Sequence, residues 1–464
     1  YTRQRLVVES LYPETGSRFG GTFQIGSGAE AKSIEQLRSN YIDRQLRGEY
    51  AALGEWSTRS EELQFIESIL DETATTGSLS TTLADFYKSV GKLTTEPDSI
   101  EVRTNMQQNG IKLCEKLNYY YEKLIDAQDL YNSTIKITVD EMNDTLTGIA
   151  NYNKQIRTYE MNGQLASELR DKRNTLLDKL SQSATVTYSE DSEGKLSVFV
   201  EGNKLVEHTD AVYLKAIPNK TGVVSGSPDY YSVCVEDELT GTDVEIALTG
   251  GKLKAYQDLR DSNFVDNVGV PYLMDQINIL ARSIAKAFNE VHETGYTIPY
   301  DAGVSNTGVA FFADAGGNYA DITAGNIALS ADVLSSAYKI AASSNPVDLS
   351  AADTQKGNNE VALALYGLTS SNKVAVVGNF QDYLKSFVVQ VGIASASAKD
   401  MATSQTTIVG NLEDRKEAVS GVSLDEEILN MISYQYAYSA SSRVLTAMDE
   451  ALDTLINGTG RVGR

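Results

Sequence analysis

Cysteine and histidine are nearly absent: two of each in 464 residues. Cys114 and Cys234 cannot make a disulfide framework, and whether they pair is open from the sequence. His208 and His292 exclude a multi-histidine metal site within one chain. HExxH, GxSxG, CxxC and the Walker A loop are all missing. Cationic residues are also short, with 40 Lys and Arg against 63 Asp and Glu, a net charge of −23 and a pI near 4.6. That balance excludes a general nucleic-acid binder, which needs clustered cations on phosphate, and an anionic membrane surface as partner. The mean hydropathy is −0.26. No run reaches the roughly 18 apolar residues of a membrane span, so membrane insertion is not expected. No secretory signal stands at the start. The chain opens at Tyr1 rather than Met, and the expectation is that a leading segment precedes it.

What is present is patterning of two kinds. Ser33 to Leu70 reads as helix, with Ile34, Leu37, Tyr41, Ile42 and Leu46 at steps of three and four. A second helical run ends at Pro97. From Val102 to Leu180, Leu113, Leu117, Tyr120, Leu124, Ala127 and Tyr131 alternate steps of four and three. Met142, Leu146, Ile149, Asn153 and Ile156 continue after a phase shift near Val139. This is a coiled-coil-like seam, the alternative being a helix of an ordinary compact bundle. Asn162 and Gly163 mark a break.

From Ser183 the period changes to two: Val186/Tyr188, Leu196/Val198/Val200, Val212/Leu214/Ala216 and Val244/Ile246/Leu248, separated by turn-like clusters. Pro271 is placed to open the next helix and Gly295 to close it. Residues 296–350 read as irregular and β structure with one short helix near Ser330 to Ala341. Asn379 to Asn457 is helical again, interrupted at Ser420-Gly421.

Chemistry-bearing features are few. Gly458 to Gly463 fits GxGxxG, but a helix precedes it where a dinucleotide site needs a strand. The acidic SEDSEG stretch lacks calcium-loop spacing and reads as a hairpin turn. His292, in the last turn of a helix, suits the negative end of the helix dipole. No catalytic residue, cofactor or metal is expected. The 26 tyrosines suit packing and protein contact more than base stacking.

The final segment is the most informative. Ser423 and Glu426 form an S-x-x-E capping box. Leu424, Ile428, Met431, Tyr438, Leu445 and Leu452 follow a seven-residue rhythm, beside a row of small residues that includes Val444. The apolar stripe runs to Leu455 and is wide enough for more than one neighbour. Docking on its own domain and docking on another chain are both open. As an assembly helix it predicts Leu424, Ile428, Met431, Tyr438, Val444, Leu445, Leu452 and Leu455 as packing residues.

SGVSLDEE followed by YQYAYSASSRVLTAMDEALDTLI resembles the C-terminal signature of bacterial flagellar axial proteins. TRQR at the start, YIDRQLRGEYAALGEWSTRSEEL with Trp56, and GGKLKAYQDLRD followed by AKAFNEVHETGY narrow the resemblance to the hook-associated protein 1 family. The C-terminal motif alone is shared across rod, hook and junction proteins. The resemblance implies a structural subunit of the hook–filament junction, secreted through the flagellar type III export channel to an extracellular place on the flagellum. It implies as partners copies of itself, the hook protein, the second junction protein and an export chaperone. It also implies a further helix ahead of TRQR that pairs with the final one. A flagellin-like filament subunit and a secreted hydrolase on a helical stalk are the competing readings.

The expected fold is α+β and multidomain, a long helical stem built from both chain ends with an inserted β-rich head. The expected parts are stem at 1–182, β-rich head at 183–270, a returning helix at 271–295, a mixed second part of the insertion at 296–372, stem again at 373–422, and an assembly helix with tail at 423–464.

Overall fold

The computed structural model describes residues 2–458 except 11, 13, 19, 20, 26–28, 71–76, 162–164, 192, 193, 221–228, 238, 239, 300–304, 315, 319, 320, 352–354 and 372–377. The expected break at Asn162-Gly163 and most of the GxGxxG stretch lie outside the described residues. The fold is α+β, a long helical stem carrying several small antiparallel sheets.

The chain opens with four strands, β1 (Gln4–Ser10), β2 (Glu14–Arg18), β3 (Gly21–Ile25) and β4 (Ala29–Gln36). They pair as two antiparallel ribbons, β1 with β4 and β2 with β3. This corrects the helical reading of the first residues of the stem. Ile34 and Leu37 do sit at helical spacing from Tyr41, but Ile34 lies opposite Leu6 in the ribbon. Helix α1 (Asn40–Leu70) starts only after Ser39, whose carbonyl accepts from Asp43.

Then come α2 (Leu79–Thr95), capped by Ser78 through the N–H of Thr81, α3 (Ile100–Glu160) and α4 (Ser167–Ser183). Strands β5 (Val186–Glu190), β6 (Leu196–Val200), β7 (Asn203–Glu207) and β8 (Asp210–Ala211) form a four-stranded meander. β9 (Leu214–Lys220), β10 (Tyr230–Glu236) and β11 (Asp243–Glu245) form a three-stranded sheet in the order β11-β10-β9. Helix α5 (Gly251–Asp261) precedes a short hairpin, β12 (Asn263–Phe264) and β13 (Asn267–Val268). Next are α6 (Val270–His292), with Pro271 in its first turn, the pair β14 (Phe312–Asp314) and β15 (Ile327–Leu329), and α7 (Ala331–Ser335). The chain closes with α8 (Glu360–Gly367), α9 (Phe380–Ser420) and α10 (Leu424–Asp453).

Two compact units result. One comprises 1–46, 151–176 and 409–464; the other comprises 47–150 and 177–408. The larger unit holds one hydrophobic core drawn from α1, α2, α3, α6, β14, β15, α8 and α9, with Phe86, Phe288, Phe311 and Phe312 packed together. The seam of α3 is buried as its periodicity predicts: Leu113, Leu117, Tyr120, Leu124, Tyr131, Met142, Leu146 and Ile149. Ala127, Tyr131, Ile135 and Val139, all buried, are spaced by consecutive steps of four. Such a stutter rotates the seam, and it is the phase shift read near Val139.

Asparagines tie sheets to helices. Asn143 exchanges two bonds with the backbone of Leu214, both 2.9 Å, as a neighbouring strand would. Asn132 Oδ1 accepts from Tyr231 N–H and from Arg260 Nη1, each at 2.8 Å. Asn289 accepts the N–H groups of Phe311 and Phe312 and donates to Phe312 O. Each leaves a buried backbone group satisfied where no ladder reaches it.

Candidate assembly surface

Helix α10 begins at Ser423, whose Oγ accepts the N–H of Glu426 at 3.4 Å. Asp425, Glu426 and Glu427 place negative charge on its first turn, where the helix dipole favours it. The capping box is only half made. The Glu426 carboxylate pairs with Arg3 Nη2 at 3.0 Å rather than turning back to Ser423. Arg3 also donates its N–H to Ser420 O at 2.7 Å, at the end of α9. Its neighbour Thr2 gives both N–H and Oγ1 to the Asp171 carboxylate, at 2.9 and 2.6 Å. The TRQR run thus pins the elbow between α9 and α10 and the first ribbon to α4. Sequence reasoning singled out TRQR but not this role, because nothing local to four polar residues states what they touch.

No residue of α10 is buried. The eight expected packing residues are exposed, from 41% at Ile428 to 80% at Tyr438. Between Ile428 and Met448 the only charged side chain is Arg443. This 30-residue helix therefore leaves an apolar surface uncovered in the single chain.

The other two family-like segments meet each other in the larger unit. Arg47 is buried, donates to Asp178 at 2.8 Å and stacks on Tyr188 at 4.4 Å. A Cβ on Gly54 would stand 2.1 Å from Gln182 O, so α1 and the end of α4 touch backbone to backbone. Gly251, with φ +83°, is equally crowded by Ser183 and Ala184. Arg59 reaches Asp258 at 3.4 Å, and Lys254 holds the same carboxylate at 2.5 Å. Burial pushes the Arg59 guanidinium down and the Glu55 carboxyl up from their ordinary values. Arg260 is fully buried, held by Asp261, Asn132 and the carbonyl of Tyr231, and lies over the Tyr230 ring at 5.2 Å. GGKLKAYQDLRD thus forms helix α5, and its Lys254, Asp258 and Arg260 are structural pins.

The histidines are not brought into a catalytic arrangement. His208 sits in the β7–β8 turn with φ +55°. His292 is fully buried, contacting Val309 O through Nδ1 at 2.6 Å and accepting Ala341 N–H through Nε2 at 2.8 Å. Burial holds it down to about 4, so it is neutral near pH 7. That corrects the helix-dipole role, which needs an imidazolium. Cys114 and Cys234 are buried and are not joined in a disulfide. Among the described residues no group of three or more His, Cys, Asp or Glu could hold a metal ion, and no helix is long and apolar enough to cross a membrane.

The family model "Flagellar hook-associated protein FlgK helical domain" matches residues 63–312. "Flagellar basal body rod FlgEFG protein C-terminal" matches 418–458, the stretch containing α10. Flagellar hook-associated protein 1 of Bacillus subtilis (strain 168) is 28% identical over 503 residues, covering 100% of this chain and 93% of that protein. Its namesake in Escherichia coli (strain K12) is 24% identical over 535 residues, covering 98% and 94%. The solved flagellar hook junction protein FlgK from Burkholderia pseudomallei superposes with a TM-score of 0.64 at 14% identity, covering 81% of this chain and 100% of that one, a likeness of fold. With the helical-domain model spanning more than half of its length, the chain belongs to the flagellar hook-associated protein FlgK family, structural proteins of the bacterial flagellum rather than enzymes.

Proposed function

We propose that this chain is a subunit of the junction between flagellar hook and filament, exported through the flagellar type III channel and polymerised by helix packing through α10. The observation that carries the reading is α10 itself: a capped helix with no buried residue, an apolar surface and one charge in its central 21 residues. Covering apolar area is worth roughly 25 cal/mol per Å². In an assembled tube α10, with residues 423–464, belongs to the inner part. Its partners are copies of itself, the hook protein on one side, the second junction protein on the other, and an export chaperone before secretion. Support comes from the two relatives named flagellar hook-associated protein 1.

The test uses Val444→Asp and Leu452→Asp in a flagellated strain lacking its own copy. Both side chains are exposed, so the variants fold with unchanged circular dichroism and melting. In the tube each carboxylate is buried without a partner, which is strongly unfavourable. Electron microscopy then shows hooks without filaments, and flagellin collects in the medium. Normal filaments in both variants would sink the reading.

A further inference from the structure

A cleft in the larger unit carries charge that the packing leaves uncompensated. Its volume is ≈ 490 Å³, and α1, α5, the β12–β13 turn and α9 wall it. Three carboxylates line it: Glu55, Asp258 and Asp266. Two cations are at hand, Arg59 and Lys254, and Asp258 engages both. Among the described residues neither Glu55 nor Asp266 has a hydrogen bond or an ion pair. Asp266 is exposed and water hydrates it. Glu55 is half-buried, and the effect of burial on its carboxyl outweighs the attraction of Arg59. A carboxylate so placed favours a counter-ion. Two more polar atoms of the same wall lack a partner, Arg59 Nε and Asn267 Oδ1. Arg59 is only 8% exposed, so water does not serve it.

We infer that this cleft receives a basic side chain, lysine or arginine, of a partner polypeptide. The inference goes beyond the junction reading and does not depend on α10. The cationic head pairs with Glu55 and Asp266. The methylene stem lies on Trp56, Val265 and Ile393, apolar surface of the kind such stems cover. The main chain that carries it brings a carbonyl for Arg59 Nε and an N–H for Asn267 Oδ1, an acceptor for the orphaned donor and a donor for the orphaned acceptor. A neutral or acidic side chain would leave Glu55 uncompensated. A metal ion is the poorer occupant: among the described residues no three His, Cys, Asp or Glu side chains converge to hold one.

Trp56 is the chain's only tryptophan and stands in the wall, so its fluorescence reports on the cleft. The experiment titrates the full chain with Nα-acetyl-arginine N-methylamide, an arginine with a peptide group on each side, at physiological ionic strength. A saturable change is expected. The citrulline analogue, isosteric but neutral, binds roughly tenfold more weakly, and Glu55→Gln weakens the arginine probe by a similar factor. Asp266→Asn, on an exposed turn, also weakens it and keeps the test alive if Glu55→Gln misfolds. Glu122→Gln, an exposed carboxylate on α3, changes nothing and controls for general attraction to a chain of −23. n-Butylguanidinium, the same head and stem without peptide groups, binds more weakly than the arginine probe. The inference is overturned by no saturable change, by equal binding of the citrulline analogue, or by unmoved affinity in both cleft variants. Equal or tighter binding of n-butylguanidinium overturns the assignment to a polypeptide.

Discussion

The backbone N–H of Ala341 donates to Nε2 of His292 at 2.8 Å, which fixes the ring as a neutral acceptor with its proton on Nδ1, donated to Val309 O. A second proton has no place in that arrangement. The unfolded ring titrates near 6.5 and the native one at about 4. Between those values the unfolded state binds a proton that the native state refuses, so stability rises with pH there. The contribution is complete above pH 6.5, is lost as pH falls towards 4, and amounts to roughly 3 kcal/mol at most. Urea midpoints measured from pH 4 to 7.5 check this. His292→Gln should be less stable at neutral pH and should flatten the profile. An unaltered slope in that variant assigns the acid sensitivity elsewhere.

Two glycines in the same helix should respond oppositely to alanine. Gly54→Ala drives a methyl into Gln182 O, and the backbones must separate, at a cost of about 3 kcal/mol or more. A methyl on Gly48 would meet nothing within 4 Å, and Gly48→Ala should gain roughly 0.5–1 kcal/mol from helix propensity. Thermal melts of the two variants beside the parent decide it.

Asn132→Leu leaves the Tyr231 N–H without its acceptor and removes one acceptor from Arg260. Burial of an unsatisfied donor predicts a loss of about 2–4 kcal/mol. Asn132→Asp keeps an acceptor beside the guanidinium and should retain more of the stability than Asn132→Leu. Equal losses for the two in denaturant titrations would show that shape, and not the acceptor, is what matters.

Both thiols should be silent in the native chain. Cys114 and Cys234 are buried, and burial pushes the Cys114 thiol up, away from the reactive thiolate. Labelling with a thiol reagent at pH 7.5 should proceed only as denaturant unfolds the larger unit. Rapid labelling of either cysteine without denaturant would contradict the burial.

Helix was legible wherever burial is one-sided and long. The α3 seam and the span of α6, from Pro271 to the turn before Gly295, follow from spacing and stop signals. The β1–β4 ribbon was not legible. Its Leu6 and Ile34 are exposed, so no buried face imposes a period of two. Asn132 and Asn143 escaped notice because a polar residue beside a seam reads as an interruption until its backbone partner is known. His292 was placed correctly at a helix end, but its charge state depends on the Val309 and Ala341 backbones, 17 and 49 residues away in sequence. Helix α10 was visible as an apolar stripe with a cap.

Asn132 and Asn143 lie eleven residues apart on α3, about 16 Å along its axis. One holds β10 through Tyr231, and the other holds β9 through Leu214. A sheet fastened at one point can swivel about it; a sheet fastened at two cannot turn without breaking a bond. Torque on the three-stranded sheet is therefore passed into α3 through paired hydrogen bonds loaded together, which makes the mount stiff against twisting.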